Sequence, residues 1–152
     1  MMQIVPFHTK YAPAFYELNI EWLETFFYVE PYDREVLSNP MKHIIEPGGH
    51  IFFVIEKEQV LGTVALLKRA ENSFELTKMA VLPAARGKRI GQKLMEYCIA
   101  FARTSNFERL YLYSHRKLAN AIHIYKKYGF AEIELESPNP YERSNIKMEY
   151  QF

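Results

Sequence analysis

The spacing of apolar residues changes several times along the chain, and each change indicates a different kind of element. Near the N-terminus, Val5 and Phe7 predict a short strand, and Thr9 is placed to cap the helix that follows. The apolar positions of that helix recur at helical spacing and are Phe15, Leu18, Trp22, Leu23 and Phe26. Several prolines and a Gly-Gly pair then interrupt the chain, so residues 32–45 are expected to hold only brief helical turns.

From residue 50 onward the pattern favours strands. Residues 51–56, 60–67 and 74–82 are rich in apolar and β-branched side chains and are separated by short polar segments. We therefore expect three consecutive antiparallel strands, joined by turns at 57–58 and 71–73.

Helical spacing returns in the second half of the chain. Between Gly91 and Arg103 the apolar stripe consists of Leu94, Met95, Cys98, Phe101 and Ala102. A strand is predicted at 110–113, followed by a helix that ends at Gly129 and whose stripe is Leu118, Ile122 and Tyr125. Apolar and polar residues alternate strictly over 146–152, which predicts a half-buried C-terminal strand. The order of elements predicts an α/β layer structure, antiparallel in its first half.

Composition limits the kind of molecule. With 152 residues, 49% of them hydrophobic and 15% aromatic, the chain has enough apolar material for one domain, which we expect to span residues 1–152. The formal net charge of +1 lacks the strong positive excess of a nucleic-acid-binding protein, so no nucleic-acid partner is expected.

Cysteine and histidine usage narrows the class further. Cys98 is the single cysteine and is interpreted as a buried core thiol. The five histidines show no metal-ligand spacing with cysteines or carboxylates, so no metal site is expected. The N-terminus has no secretory pattern, and no apolar run approaches the roughly 20 residues of a membrane span. We therefore expect a soluble, cytoplasmic protein without a membrane partner.

The strongest indication of chemistry is the segment ELTKMAVLPAARGKRIG at 75–91. A strand-like stretch reaches Pro83, and a small basic turn, RGKRIG at 86–91, then opens a helix. Backbone N–H groups at a helix N-terminus, together with three cationic side chains, favour a polyanionic ligand. The turn contains neither the GxxxxGK[ST] pattern of a P-loop nor the GxGxxG pattern of a dinucleotide fold.

This turn resembles motif A of the GNAT N-acetyltransferase superfamily, whose pattern Gln/Arg-x-x-Gly-x-Gly/Ala lies at a strand-to-helix junction. Arg86 and Gly91 match the two ends of the pattern, with Val81 and Pro83 upstream. A second segment, AIHIYKKYGF at 121–130, is similar to the family's AIxxYxxxGF element. The resemblance implies a GNAT-like α/β (α+β) fold: a mixed, mostly antiparallel central sheet of about seven strands, flanked by about four helices.

The resemblance also implies a co-substrate, acetyl-CoA, and the residues that hold it. Its pyrophosphate would be bound by the backbone amides of 87–92, and its pantetheine by the main chain of 79–81, where the strand is expected to splay from its neighbour. The implied coenzyme-binding residues are Met79, Ala80, Val81, Arg86, Gly87, Lys88, Arg89, Ile90, Gly91, Gln92, Asn120 and Tyr125. The alternative is an ordinary strand-to-helix turn with solvated Arg and Lys side chains.

Two positions depart from the family pattern. Arg89 stands where the pattern has its first glycine. If the helix has already begun there, Arg89 keeps a right-handed conformation and reaches a peripheral phosphate, which would strengthen coenzyme binding. The asparagine that often precedes the AIxxY element has no clear counterpart, because Asn120 is offset.

The implied reaction is direct attack of an amine on a thioester in a ternary complex, without an acyl-enzyme. An alkylammonium, with a pKa of about 10.4, must first lose a proton, and Glu75 is the candidate base, directly or through water. Alternatively, Glu75 faces solvent or pairs with a lysine such as Lys78. Tyr125 matches the family tyrosine that protonates the departing thiolate; the alternative, a core tyrosine, is compatible with that role.

The acceptor site is expected between residues 22–35 and the loop 141–143. Six acidic residues and one basic residue lie between Glu17 and Glu35, which favours a cationic amine or simply a solvated helix face. Arg143 is an alternative site for a substrate carboxylate, as in an amino acid or a peptide. The candidate acceptor residues are Trp22, Glu30, Asp33 and Arg143.

The leading function is therefore N-acetyl transfer from acetyl-CoA to a primary amine of a small molecule, amino acid or peptide. Two other functions remain open: a non-catalytic acyl-CoA-binding sensor or partner protein, and a binder of nucleotide phosphates. A homodimer is compatible with so small and aromatic-rich a chain.

Overall fold

Seven strands form one sheet in the order β1-β2-β3-β4-β5-β7-β6, and the computed structural model describes all residues 1–152. The strands are β1 Gln3–Pro6, β2 His50–Glu56, β3 Gln59–Ala70, β4 Ser73–Val81, β5 Arg109–Ser114, β6 Phe130–Ile133 and β7 Ile146–Tyr150. Every neighbouring pair is antiparallel except β4 and β5. This mixed, mostly antiparallel sheet confirms the predicted fold class.

Four α-helices cover the sheet: α1 Ala12–Phe26, α2 Pro31–Ser38, α3 Ile90–Thr104 and α4 Ala119–Lys127. Short 3₁₀ turns at Thr9–Tyr11 and Pro83–Ala85 and a π-helical turn at Met41–Ile45 complete the helical content. A parallel pair needs a long crossover connection, and α3 is that connection between β4 and β5. None of the helices combines the length and the apolar character that crossing a membrane requires.

The sheet separates two hydrophobic clusters. The larger lies under α3 and includes Leu94, Met95 and Cys98, whose exposures are 1% or less. The smaller lies under α1 and α2 and includes Phe15 and Phe53. The predicted core position of Cys98 is confirmed, and burial raises the pKa of its thiol.

The tight turn between β2 and β3 lies where the sequence places it. Lys57 and Glu58 adopt φ values of 51° and 66°. Positive φ at both central residues is the requirement of the type I′ hairpin turn, whose twist matches that of the flanking strands. The predicted hairpin is therefore confirmed, although neither residue is a glycine.

Three local expectations are wrong. The chain enters α1 through a 3₁₀ turn capped by His8, whose Nδ1 accepts from the Lys10 amide at 3.0 Å, so Thr9 does not cap the helix. The last strand ends at Tyr150, and Phe152 lies beyond it with 49% exposure.

Lys147, expected on the solvent side, is 7% exposed because its ammonium pairs with Glu136 at 3.1 Å.

The sheet opens beside the second half of β4. Hydrogen-bonded pairing between β4 and β5 stops at Glu75 and Tyr111, which confirms the expected splay. On its other side β4 contains a bulge, because the register passes from Thr77 opposite Ala65 to Ala80 opposite Thr63. Two residues of β4, the first being Lys78 at φ 56°, therefore oppose a single residue of β3.

Candidate active site

A groove of about 380 Å³ lies between the end of β4, the N-terminus of α3 and the start of α4. Most of the coenzyme residues predicted from the sequence line it: Met79, Val81, Arg86, Gly87, Arg89, Ile90, Gly91, Gln92, Asn120 and Tyr125. Ala80 and Lys88 do not. Ala80 is 1% exposed in the core, and the Lys88 side chain lies in solvent. The groove is also lined by four residues that no sequence motif indicated: Ala85, Met95, Ala121 and Ile124.

Uncommitted backbone amides surround the turn before α3. The N–H groups of Gly87, Arg89, Ile90, Gly91 and Gln92 donate to no other backbone group. The first amides of a helix have no intrahelical partner and carry the positive end of the helix dipole. Five free donors around one turn match the several oxygens of a pyrophosphate, so the residues present fit the coenzyme.

Arg89 lies immediately before α3 and adopts the left-handed conformation, at φ 62° and ψ 26°. The conditional expectation of a right-handed Arg89 is wrong, because α3 begins one residue later, at Ile90. Left-handed backbone disfavours a residue with a Cβ, which explains why the family pattern has glycine at this position. The Arg89 side chain projects onto Gln92, whose Oε1 it meets at 2.9 Å.

Gly87 supplies the second left-handed residue of the turn. Its φ is 89°, and a Cβ placed there would meet nothing within 4 Å. The glycine is therefore required by backbone conformation and not by lack of space.

The Arg86 guanidinium already has contacts within the protein. Its guanidinium pairs with Glu21 of α1 at 2.7 Å and lies 5.6 Å from the centre of the Phe26 ring. Both partners of the ion pair are about one-third exposed, so water screens the attraction. Glu21 and a phosphate would compete for the same cation.

A second cavity, of about 150 Å³, adjoins the groove on the side of α1 and α2; we call it the acceptor cavity. Glu75, Trp22, Asp33 and Arg143 line it. Glu30 lines a neighbouring cavity of about 340 Å³, which shares part of its wall with the acceptor cavity. The structure thus brings together all four acceptor residues expected from the sequence.

Met79 and Tyr125 line both the groove and the acceptor cavity. The Tyr125 hydroxyl makes no hydrogen bond within the protein and is not sealed in the core. Burial of the ring raises the pKa of Tyr125 to about 12, so the hydroxyl stays protonated at neutral pH. A proton donor therefore lies where the two cavities meet.

Glu75 is 2% exposed, and both of its carboxylate oxygens already accept hydrogen bonds. Arg69 contacts Oε1 at 2.8 Å, and the Tyr141 hydroxyl donates to Oε2 at 2.9 Å. Glu75 is therefore paired with Arg69. The alternative interpretation, in which Glu75 pairs with Lys78, is wrong. Burial lowers the pKa of Arg69, but the negative charge of Glu75 and its hydrogen bond outweigh this effect, so the pKa is raised. Burial and then the charge of Glu75 raise the pKa of Tyr141.

Arg143 is committed to carboxylates of the protein. Its two terminal nitrogens each donate to an oxygen of Asp33 at 2.8 Å, and one also meets Glu30 at 3.0 Å. Asp33 is 9% exposed, so it is not part of a solvated face. With its guanidinium occupied in this way, Arg143 does not offer a free site for a substrate carboxylate.

Arg69 and Lys78 are two charged wall residues that were not expected in the acceptor site, and Tyr141, expected only as part of the loop 141–143, contributes the hydroxyl that binds Glu75. No local motif marks them, because each reaches the cavity through a strand register, a bulge or a long loop. Tyr141 is 66 residues from its partner Glu75 in the chain.

Comparison with known proteins places this geometry in context. A family model described as "Acetyltransferase (GNAT) family" matches residues 12–130. The chain is 38% identical over 90 residues to the uncharacterized N-acetyltransferase YjgM of Escherichia coli K12. That match covers 57% of this chain and 54% of the relative, so the chain spans about half the length of that curated relative.

Solved structures agree with the fold. A GNAT acetyltransferase from Staphylococcus aureus Mu50 superposes with a TM-score of 0.86 at 24% identity, covering 99% of this chain and 98% of that one. PaiA N-acetyltransferase of Thermoplasma acidophilum, solved in complex with coenzyme A, gives a TM-score of 0.80 at 20% identity. The overlap covers 100% of this chain and 99% of PaiA.

Proposed function

The chain belongs to the GNAT acetyltransferase family, and from this premise we propose that it transfers the acetyl group of acetyl-CoA to a primary amine. The observation that carries the proposal is the meeting of the two cavities at Met79 and Tyr125. An anion-binding groove and a charged side cavity that share a proton donor are what transfer between two bound substrates requires.

The groove would hold the coenzyme through main-chain groups. The free amides around Gly87 and at the start of α3 would bind the pyrophosphate, with Arg86 and Arg89 contributing charge. Beyond Glu75 no strand pairs with the β5 side of β4, which leaves that edge available to the pantetheine arm at 79–81. Acetyl-CoA would supply an acetyl group already activated as a thioester.

Two side chains would move protons. We assign Glu75 as the base that takes a proton from the acceptor ammonium, directly or through one water, because its carboxylate lies on the acceptor wall. We assign Tyr125 as the acid that protonates the departing thiolate, because its hydroxyl is protonated and has no partner in the protein. Neither step requires an acyl-enzyme.

One observation favours a second function, an acyl-CoA-binding sensor without turnover. Both oxygens of Glu75 already accept hydrogen bonds from Arg69 and Tyr141, so neither is free to meet an acceptor ammonium. An intact coenzyme groove beside a blocked base would bind the coenzyme and not use it.

The experiment that separates the two functions measures thiol release from acetyl-CoA with a panel of amines, including spermidine, free amino acids and dipeptides. Coenzyme binding is measured separately, as the rise in thermal midpoint with CoA, with ATP for comparison. Transfer by the wild-type protein, reduced in Tyr125→Phe and in Glu75→Gln, supports the enzyme.

The other outcomes are equally informative. CoA stabilisation without turnover of any amine supports the sensor. Stabilisation by ATP equal to that by CoA contradicts both functions. If Glu75→Gln keeps the wild-type pH profile, water replaces Glu75 as the base.

A further inference from the structure

Lys78 lies in the bulge of β4, with φ at 56°. Side chains alternate across a strand, so Lys78 would share the face of Leu76, which packs in the cluster under α3. The extra residue of a bulge changes that alternation. Lys78 instead lines the cavities on the side of α1 and α2, together with Asp33 and Arg69.

The other cations of these cavities are neutralised by carboxylates. Arg69 pairs with Glu75 at 2.8 Å, and Arg143 pairs with Asp33 at 2.8 Å. The Lys78 ammonium forms no ion pair with a carboxylate and donates no hydrogen bond to the protein, and only longer-range attraction to Glu75 and Asp33 acts on it. Among the lysine and arginine side chains that line the acceptor cavity and its neighbouring cavity of about 340 Å³, Lys78 therefore holds the uncommitted charge.

This arrangement costs stability in two ways. Left-handed backbone is unfavourable for a residue with a Cβ, because the Cβ approaches the following carbonyl oxygen. Desolvation by burial lowers the pKa of Lys78, and the attraction of Glu75 and Asp33 only partly offsets it. Placing a cation in this wall therefore lowers the free energy of unfolding. A binding role for Lys78 explains that loss better than a packing role does.

We propose that Lys78 binds a carboxylate of the acceptor, so that the acceptor is an amino compound that also carries a carboxylate, such as an amino acid or a peptide. This inference rests on the proposed acetyl transfer and names its substrate class. It moves the carboxylate site from Arg143, which is occupied, to Lys78.

The position of Lys78 suits the acceptor and not the coenzyme. It does not line the coenzyme groove, but its neighbour Met79 lines both cavities. Lys78 and Tyr125 line the same acceptor cavity, so a carboxylate at Lys78 would lie in the cavity that opens onto the junction at Tyr125. Its amine would then point toward that junction, where the acetyl group must arrive.

The test compares each amino acid or dipeptide with its own C-terminal amide, which has nearly the same shape and no carboxylate. We expect kcat/KM of the wild-type protein to be at least about tenfold higher for the acid, equal to about 1.4 kcal/mol. Lys78→Met is expected to abolish that preference while leaving the amides within about threefold. Equal losses for acid and amide in Lys78→Met would overturn the proposal, as would a wild-type preference for amides or for spermidine.

Lys57→Met is the matched control. Lys57 also has a positive φ, 51°, but lies in the β2–β3 turn and lines neither the groove nor the acceptor cavity. We expect it to keep the preference for acids. Lys78→Met removes a desolvated charge, so a thermal midpoint at neutral pH that is equal to or above wild type shows that the variant is folded.

A binding measurement keeps this inference separate from the proposed function. Calorimetry in the presence of CoA compares acid and amide without any turnover. Acid-selective binding that is lost in Lys78→Met supports the carboxylate site even if no acetyl transfer occurs. In that case the proposed acetyl transfer is wrong, but the proposed carboxylate site is not. Absence of acid-selective binding overturns the Lys78 site even if transfer to other amines is fast.

Discussion

The coenzyme groove and the acceptor cavity adjoin at Tyr125 but are built on opposite principles. The polar groups of the groove include five backbone amides of one short turn, which donate to no other backbone group. In the acceptor cavity the polar groups are side chains from distant segments, and most are already paired with one another. One region presents free donors to its ligand, whereas the other presents a charge network with a single uncommitted cation.

The difference shows how each region acquires specificity. An anion site made of local main chain depends on backbone conformation, so substitutions there act through φ and charge. A cavity made of buried ion pairs depends on every partner, because removing one leaves another uncompensated. Four substitutions test this contrast, from the largest expected effect to the smallest.

Arg143→Met should have the largest effect, because it lowers the free energy of unfolding and also removes the ion pairs of Arg143 in the acceptor cavity. It leaves Asp33 and Glu30 without their cation, and the Arg143 side chain is only 18% exposed. Breaking a buried pair in this way costs about 3 kcal/mol, measured as the free energy of unfolding in urea. Arg116→Met is the control, because its pair with Glu132 is about half exposed and is worth about 0–1 kcal/mol. Equal losses in the two variants would mean that the acceptor network contributes no more than a surface pair.

Tyr125→Phe should reduce kcat by about 100-fold, because the removed hydroxyl is the proposed general acid. CoA affinity, measured by calorimetry, should change by less than about threefold, because the ring remains. With a pKa of about 12, the hydroxyl stays protonated, so wild-type kcat should show no loss from this group between about pH 7 and pH 10. Tyr97→Phe, on α3 and outside both cavities, should be indistinguishable from wild type. A full rate in Tyr125→Phe would remove the acid role.

Arg89→Gly should separate strain from charge within the groove. Glycine relieves the left-handed backbone at φ 62°, which should raise the free energy of unfolding by about 0.5 kcal/mol after the loss of chain entropy. Loss of the guanidinium should weaken CoA binding by about threefold and make it less dependent on salt. Calorimetry at two ionic strengths measures the second effect. Unchanged affinity would refute the charge role of Arg89.

Glu21→Gln should have the smallest effect. It releases Arg86 from an ion pair that is about one-third exposed and is worth about 0.2–1 kcal/mol. CoA should then bind up to about threefold more tightly, because Arg86 no longer has to leave Glu21. Glu24→Gln, a change on an exposed side chain of the same helix that forms no ion pair, is the comparison. Weaker binding in Glu21→Gln would instead mean that Glu21 positions Arg86 for the phosphates.

Much of the fold was predictable because its signals are local. The hairpin at Lys57 and Glu58, the start of α3 near Gly91 and the stripe that buries Cys98 all follow from turn chemistry and periodicity over a few residues. The expectation for Lys147 is wrong because a tertiary contact overrides the local pattern. Lys147 is buried despite its place in an alternating strand, because Glu136 and the rings of Tyr111 and Tyr113 surround its ammonium.

The candidate site likewise has one part that the local sequence predicts and another part that it does not. The sequence by itself determined the turn at 87–92 that forms one wall of the groove, because its free amides, the φ of Gly87 and the helix dipole all arise within one turn of chain. Only the tertiary structure decided the acceptor cavity. Arg143 contacts Asp33, which is 110 residues away in the chain. A bulge places Lys78 on the face of β4 opposite to the one that strict alternation predicts. Such contacts depend on register and packing between distant segments, and no short pattern of residues encodes them.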